Sequence, residues 1–414
     1  MKINSAIFRA YDIRGKYPEE LNEEVAFLVG LSFVKLLRMR NPKIVVGRDN
    51  RLSSNSLLKS LTRGLVEAGA KVIDIGLSIS PMLYWAVGFY GFDAGINITA
   101  SHNPSEYNGF KMVKKNAVPV SGTILKSNLA AVRRLPILTG RNRLVKKDIL
   151  GDYLKFNLKF LNKKLVNYKA FDTKVLVIDT ANAVGGIVVS KLIKELPFKI
   201  YHIFSKLDGR FPNHQPNPLE EKNLKYLIRE VKKRKADLGV AFDGDADRLV
   251  FIDEKGKTIS ADLVSSLVSK SILKEKPGQK ILYDIRSSNI LRETIKSSGG
   301  VPIISRVGHY FISRKMREEN VYFGAEFSGH YYLKDFYFRE APFFVLFKVL
   351  EELARSKKKF SELMKPFKKY FHSGEINFRV RNKSKIMKIL EKKYKRGKVS
   401  KIDGLRIDFK NWWF

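Results

Sequence analysis

Three carboxylates stand at alternate positions in Asp243-Gly244-Asp245-Ala246-Asp247-Arg248, between apolar runs at 238–242 and 249–252 that read as strands. Like charges this close repel unless a cation gathers them, and carboxylate oxygens favour a hard ion, Mg²⁺ or Ca²⁺, over zinc. Glu254 at position twelve imitates a helix-flanked calcium loop. Arg248 at position six, where that loop needs glycine, and the flanking strands argue against it. The plain alternative is a hydrated acidic hairpin. A second stretch, Thr99-Ala100-Ser101-His102-Asn103-Pro104, follows an apolar run at 92–98. It presents a serine hydroxyl at a strand's carboxyl end, where open α/β sheets place ligands. A turn rich in Ser, Asn and Pro is its plain reading. Adjacency of Ser101 and His102 does not by itself give a hydrogen bond between nucleophile and base. A third stretch, Gly324-Ala325-Glu326-Phe327-Ser328-Gly329-His330, follows a strand expected at 321–323. Glutamate and serine one residue apart can fork hydrogen bonds to vicinal hydroxyls, although such a string is more often an ordinary polar loop.

These stretches need a scaffold, and the chain repeats one. A strand at 43–46 ends in Gly47-Arg48-Asp49, followed by a helix at 57–68, Gly69 and a strand at 71–75. The same order recurs from 175–178, ending in Asp179, and from 281–283, ending in Asp284 with Arg286. The intervals are too long for a solenoid and suit three similar α/β domains in tandem, with right-handed crossovers. The expected division is 1–150, 151–255 and 256–366, each an α/β domain with a mixed sheet. A partial, smaller α+β domain at 367–414 completes the ring around a central cleft.

Composition removes several alternatives. The 414 residues contain no cysteine, which excludes disulfides, thiolate nucleophiles and Cys-ligated zinc. That suits a reducing cytoplasm. The apolar run 341–350 is too short to span a bilayer. The net charge of +37 arises from 78 Lys and Arg against 41 acids. Those lysines are spread along the chain as solvated helix faces, with no nucleic-acid-binding signature. No membrane and no dedicated nucleic-acid partner are expected.

Thr99–Pro104 followed by Tyr107-Asn108-Gly109-Phe110-Lys111 resembles the phosphoserine loop of the α-D-phosphohexomutases, a family that includes phosphomannomutase and phosphoglucomutase. The resemblance implies that Ser101 carries a phosphoryl group exchanged with hexose phosphates, and that Asp243, Asp245 and Asp247 hold one Mg²⁺ that also meets the phosphoserine. Phe8-Arg9-Ala10-Tyr11-Asp12-Ile13-Arg14-Gly15 matches the family's opening motif and brings Arg14 to the site. Arg248 would face the substrate, and His330 joins the catalytic set. Arg286, Gly308, His309, Glu326 and Ser328 are implied in substrate binding, with Glu326 and Ser328 on the sugar's 3- and 4-hydroxyls. Phe327 stands where methionine is usual. Asp208-Gly209 with Phe211–Pro218 matches a further loop whose family role is chiefly structural. A serine alkoxide is a poor leaving group, so such chemistry needs cations near the transferring phosphoryl oxygens. Lys111 is a candidate general acid or base, and a site crowded with cations would tune its amine toward neutrality.

The implied reaction interconverts hexose 1- and 6-phosphates of mannose, glucose or both. It passes through a 1,6-bisphosphate, with glucose 1,6-bisphosphate as activator, in a monomer or homodimer. The family's final phosphate loop, Arg-x-Ser-x-Thr-Glu-Pro, has no counterpart after Ile402–Phe409. Three readings therefore stay open: a fragment or truncated mutase with low, leaky turnover, a sugar-phosphate binder, or a phosphatase using the same Ser101. Trp412, Trp413 and Phe414 are expected either exposed or folded back.

Overall fold

The computed structural model describes residues 3–132, 144–162, 174–374 and 376–414. Its strands, in chain order, begin with β1 (Ile13–Lys16), β2 (Lys43–Arg48), β3 (Lys71–Leu77), β4 (Ala94–Ile98), β5 (Tyr107–Lys114), β6 (Val118–Val120) and β7 (Leu144–Lys146). A second set holds β8 (Val175–Asp179), β9 (Lys199–Ile203), β10 (Leu238–Phe242), β11 (Leu249–Asp253) and β12 (Thr258–Ile259). A third holds β13 (Lys280–Asp284), β14 (Val301–Ser305), β15 (Phe323–Ala325), β16 (Tyr331–Leu333) and β17 (Arg339–Glu340). The last two, β18 (Lys398–Ser400) and β19 (Arg406–Asp408), form a hairpin.

Three tandem α/β units are present, and each repeats one sheet order. The runs β3-β2-β4-β5, β9-β8-β10-β11 and β14-β13-β15-β16 each join three parallel strands to one antiparallel strand. Local sequence explains the elements. Strands β4 and β10 are buried at every residue, as strands covered on both faces must be. The helix Ser54–Glu67 buries Leu57, Leu58, Leu61 and Leu65, an i, i+1, i+4, i+8 stripe that faces the sheet. The helix Glu23–Leu37 opens with the Asn22 side chain accepting from the Val25 amide at 3.1 Å, a standard N-cap.

One apolar cluster runs through all three units. Leu83 and Trp85 come from the first, Phe242 and Phe251 from the second, and Phe323, Phe343 and Phe347 from the third. The Tyr153 ring packs edge-on against Trp85, Phe336 and Phe343. This shared core brings the strand ends of separate sheets together.

The C-terminal unit is small. Its helix Lys383–Lys393 buries no residue, while Ile407 and Arg406 of the hairpin are buried. Arg406 donates to the Ile285 carbonyl, and Asp403 accepts from the Val307 amide at 2.8 Å. The terminal aromatics fold back. Phe414 exchanges backbone hydrogen bonds with Ile407, Trp412 stacks on Phe409 at 4.5 Å, and the Arg406 guanidinium covers Trp413 at 3.8 Å.

One expectation shifts. The strand read at 321–323 lies at Phe323–Ala325, paired with β13 from Ile281 to Tyr283. Gly324 is a strand residue packed under the Met316 sulfur rather than the start of a loop.

Candidate active site

The three chemistry-bearing stretches occupy the same place in each repeat, the connection between the third parallel strand and its antiparallel neighbour. Ser101 lies between β4 and β5, Asp243–Arg248 between β10 and β11, and Glu326–His330 between β15 and β16. All open at the sheets' ligand-binding ends, and the shared core makes them converge.

Ser101 is buried and has φ +52°, a left-handed conformation that costs a non-glycine residue about 1–3 kcal/mol unless its surroundings impose it. Its amide donates to Thr99 Oγ1 at 2.9 Å. Its Oγ lies 2.9 Å from Asp243 Oδ2 and 3.1 Å from His102 Nδ1, and a hydroxyl has one proton to give to either acceptor. Burial, then Arg248, Arg14 and Lys111, push the His102 ring far below its ordinary pKa, so it is neutral and able to accept. Gly244 permits the approach of the second unit: a Cβ there would lie 2.2 Å from the Ser101 carbonyl oxygen.

Asp243, Asp245 and Asp247 are buried, and one oxygen from each lies within 4.8 Å of the others. Asp243 is pushed up to about 8, first by burial and then by Asp247 and Asp245. Asp245 Oδ1 and Asp247 Oδ1 are buried with no hydrogen-bond partner. Three carboxylates, two of them with an orphaned oxygen, form a donor set that fits a hard divalent ion. The site is able to bind a metal.

Lys111, on β5, reaches across to Asp245 Oδ2 at 2.6 Å and Asp247 Oδ2 at 2.5 Å. Burial acts to lower its pKa, but these two carboxylates outweigh burial and hold the ammonium well above its ordinary value. This corrects the tuning toward neutrality read from sequence: the group's nearest neighbours are anions. Burial likewise opposes the charge on Arg14, and Asp12, at 2.5 Å, more than restores it. Arg14 also donates to Asn103 Oδ1 at 2.7 Å.

Arg248 and His330 face each other across the second and third loops, with the Leu249 amide donating to the Gly329 carbonyl. His330 lies 3.2 Å from Asp247 Oδ1 and 3.1 Å from Glu326 Oε2. Burial lowers its pKa and Arg248 adds to that, yet Asp247 and Glu326 prevail and raise it to about 9. A protonated ring has no lone pair at either nitrogen, and Asp247 Oδ1, 3.2 Å from Nε2, is its counter-ion. Arg248 Nε, 3.2 Å away, is then a like-charged neighbour rather than a donor.

Glu326 also accepts from Arg286 at 3.2 Å and Tyr332 at 3.1 Å. Burial works to raise it, but His330, Arg286 and Arg248 hold it down at about 2. Ser328 Oγ sits 3.0 Å from His330 Nδ1. Gly308, at φ +111°, lies beneath the Tyr11 ring, which packs 5.6 Å from the His309 ring. His309 is neutral: burial, then Arg339, Lys111 and His330, keep it well below its ordinary pKa.

The structure thus gathers Ser101, Arg14, Lys111, Arg248, His330 and the three aspartates in one locus, with Glu326, Ser328 and Arg286 adjoining and Gly308 and His309 on the Tyr11 side. Sequence reasoning missed Ser80, whose amide and Oγ both meet Asp245, and the buried Arg339 beside His309. It also missed Arg51. The equal spacing in Asp49-x-Arg51 and Asp284-x-Arg286 was the available signal.

Residues 5–131, 152–256 and 260–370 match, in turn, alpha/beta/alpha domains I, II and III of the phosphoglucomutase/phosphomannomutase family. A phosphomannomutase of Methanocaldococcus jannaschii is 41% identical over 411 residues, covering 99% of this chain and 90% of that protein. A phosphomannomutase/phosphoglucomutase of Pseudomonas aeruginosa is 33% identical over 420 residues, 99% of this chain and 88% of its own length. The crystal structure of a phosphoglucomutase/phosphomannomutase family protein from Burkholderia thailandensis superimposes with a TM-score of 0.90 at 30% identity, covering 100% of this chain and 90% of that one. With all three domains matched in order and these identities spanning the chain, it belongs to the phosphoglucomutase/phosphomannomutase family.

Proposed function

We propose that this protein interconverts hexose 1-phosphate and hexose 6-phosphate, of mannose, glucose or both, through a phosphoserine at Ser101 and a hexose 1,6-bisphosphate. The observation that carries this is the convergence on one hydroxyl. Ser101 Oγ lies 2.9 Å from a carboxylate triad that Lys111 reaches from the first unit and His330 from the third. In this reading Asp243, Asp245 and Asp247, with Ser101, hold one Mg²⁺. Bound there, the ion would neutralise charge on the transferring phosphoryl group. Arg14 and Arg248 supply fixed positive charge to the same oxygens.

The chain's own groups handle the protons. Lys111 and His330 are both held in their acid forms. When the bisphosphate returns a phosphoryl group to Ser101, the Oγ proton passes to Asp243 or the neutral His102 beside it, the P–O bond to the sugar breaks, and Lys111 or His330 protonates the sugar oxygen. The neutral base left behind takes the proton of the next attacking hydroxyl, while Ser101 Oγ departs and recovers the proton held by its neighbour. Glu326 and Ser328 orient the sugar through its 3- and 4-hydroxyls, and Arg286, Gly308 and His309 line the recognition side. The boundaries near 150, 255 and 366 would then separate nucleophile, metal and sugar-recognition units from the C-terminal one.

The test is to supply Mg²⁺, a trace of glucose 1,6-bisphosphate, and either glucose 1-phosphate or mannose 1-phosphate. Hexose 6-phosphate is the expected product. Release of inorganic phosphate instead would mark a phosphatase, and binding without product a sugar-phosphate binder. Either outcome overturns the mutase reading.

A further inference from the structure

Ser101 sits in a backbone conformation that it does not favour, and something must hold it there. Its own amide bond to Thr99 and its contact with Gly244 each restrain it at a single point. Arg51 does far more. Its side chain is fully buried at the end of β2, and its planar guanidinium spans the whole loop. Nη2 donates to the Ser101 carbonyl at 2.8 Å and the Asn103 carbonyl at 2.7 Å. Nη1 donates to the carbonyls of Pro104 and Tyr107, and Nε to Asp49 Oδ2 at 3.1 Å. All five of its N–H donors are therefore used. Four go to one short segment that begins at the nucleophile.

The cover over this residue comes from the second unit. The Phe211 ring lies 5.0 Å from the guanidinium. A Cβ at Gly209 would fall 2.2 Å from the Asn50 carbonyl oxygen and 2.9 Å from Arg51 Cα, so the loop presses directly on the backbone beside Arg51. Asn50 Nδ2 in turn donates to the Asn182 carbonyl at 2.9 Å. The 208–218 stretch meets the aspartate loop through the Pro216 carbonyl, which accepts from the Gly244 amide at 3.1 Å. Its place over Arg51 connects it to the Ser101 loop as well.

We propose that Arg51, sealed by the 208–218 loop of the second unit, is the positioning residue that fixes Ser101 for phosphoryl transfer. This rests on the mutase reading for its kinetic consequence, but not for its structural one. Without the guanidinium, four carbonyls lose their common donor and Ser101 relaxes toward an ordinary φ. Its Oγ then leaves the spot beside Asp243 where in-line transfer requires it, and misplacement of that order costs catalysis about 100-fold. Lysine cannot substitute: an ammonium has three donors on a flexible stem and no planar fork. The sugar-recognition groups of the third unit are untouched, so substrate affinity should survive.

Arg51→Met and Phe211→Leu in the full chain test this with three readouts: thermal stability, hydrogen exchange at residues 101–107, and steady-state kinetics. Arg51→Met is expected to raise exchange selectively in 101–107 and to lower kcat about 100-fold with KM within about threefold. Arg51→Lys should recover little. Phe211→Leu, which keeps every hydrogen bond but opens the cover, should show the same local exchange and a kcat loss of about fivefold. It also stands in if Arg51→Met does not fold. Unchanged exchange at 101–107 in the folded variant, or kcat equal to a wild type that turns over, overturns the proposal. So does a loss of kcat that merely tracks global destabilisation. A wild type without turnover whose variants still loosen 101–107 selectively refutes the mutase reading and leaves the clamp standing.

Discussion

Asp49 and Asp284 occupy the same position in the first and third units, and each accepts a hydrogen bond from the amide two residues on, at 3.0 and 2.8 Å. That residue is arginine in both. Arg51 turns inward, shows no exposed side-chain surface and is used up by the Ser101 loop. Arg286 keeps 36% of its side chain exposed and bridges Asp284 to Glu326. On the proposed reading, one scaffold position is a clamp in one unit and a recognition group in the other. What differs is the cover: the second unit lies over Arg51, while Arg286 stays partly exposed beside the Phe327 ring of its own unit, 5.9 Å away. The second unit has the same turn at Asp179, with the Ala181 amide at 2.8 Å, and there His214 Nε2 at 3.0 Å meets the carboxylate instead of an arginine.

If the first two units carry the chemistry and the third the recognition, substitutions should separate into losses of kcat and losses of affinity. Ser101→Ala should show the largest effect, a fall in kcat of at least about a thousandfold with the thermal transition unchanged. Intact-protein mass should show no phosphoryl uptake from bisphosphate. Turnover near the wild-type rate would end the phosphoserine assignment. Asp245→Asn comes next: metal affinity by titration calorimetry and activity should fall together, about 10- to 100-fold, and EDTA should silence the wild type reversibly. Activity indifferent to chelation would make the triad purely structural.

On the recognition side, Glu326→Ala should raise KM for mannose and glucose phosphates alike, by about tenfold. The two sugars share their 3- and 4-hydroxyls, so a loss confined to one hexose would remove Glu326 from its assigned place. The smallest effect belongs to His214. Burial acts to lower its pKa, but Asp179 outweighs burial and raises it. A raised histidine contributes stability that is fully present below its unfolded value near 6.5 and lost as pH rises through the higher folded value. The melting temperature should therefore drop by about 2 °C across that window. His214→Gln should flatten the pH dependence, and an unaltered profile would show that the Asp179 pair contributes nothing.

The repeats were legible because buried strands such as 238–242 are apolar throughout and end abruptly in charge. The acidic triad was legible because alternate aspartates have few other uses. Gly324 misled, since a glycine reads as a turn when its reason is the close packing of Met316. Arg51 was invisible for a different cause. In Gly47-Arg48-Asp49-Asn50-Arg51 it looks like a solvated loop residue, and only tertiary contacts, with the 101–107 carbonyls and with residues 209 and 211, make it interior. The anionic surroundings of Lys111 were equally out of reach, because residues from another unit create them.

That cover also has a consequence in time. Phe211, Gly244 and the aspartates leave the ribosome about a hundred residues or more after Ser101. At ~5–20 residues per second, several seconds pass in which the first unit can fold alone. During that interval the serine has its neighbours in sequence but neither the lid over its clamp nor the carboxylates beside its hydroxyl. On the phosphoserine reading, a half-made chain therefore carries an unarmed nucleophile. Synthesis of the second unit arms it, so the order of translation keeps phosphoryl chemistry from starting before there is a cleft to contain it.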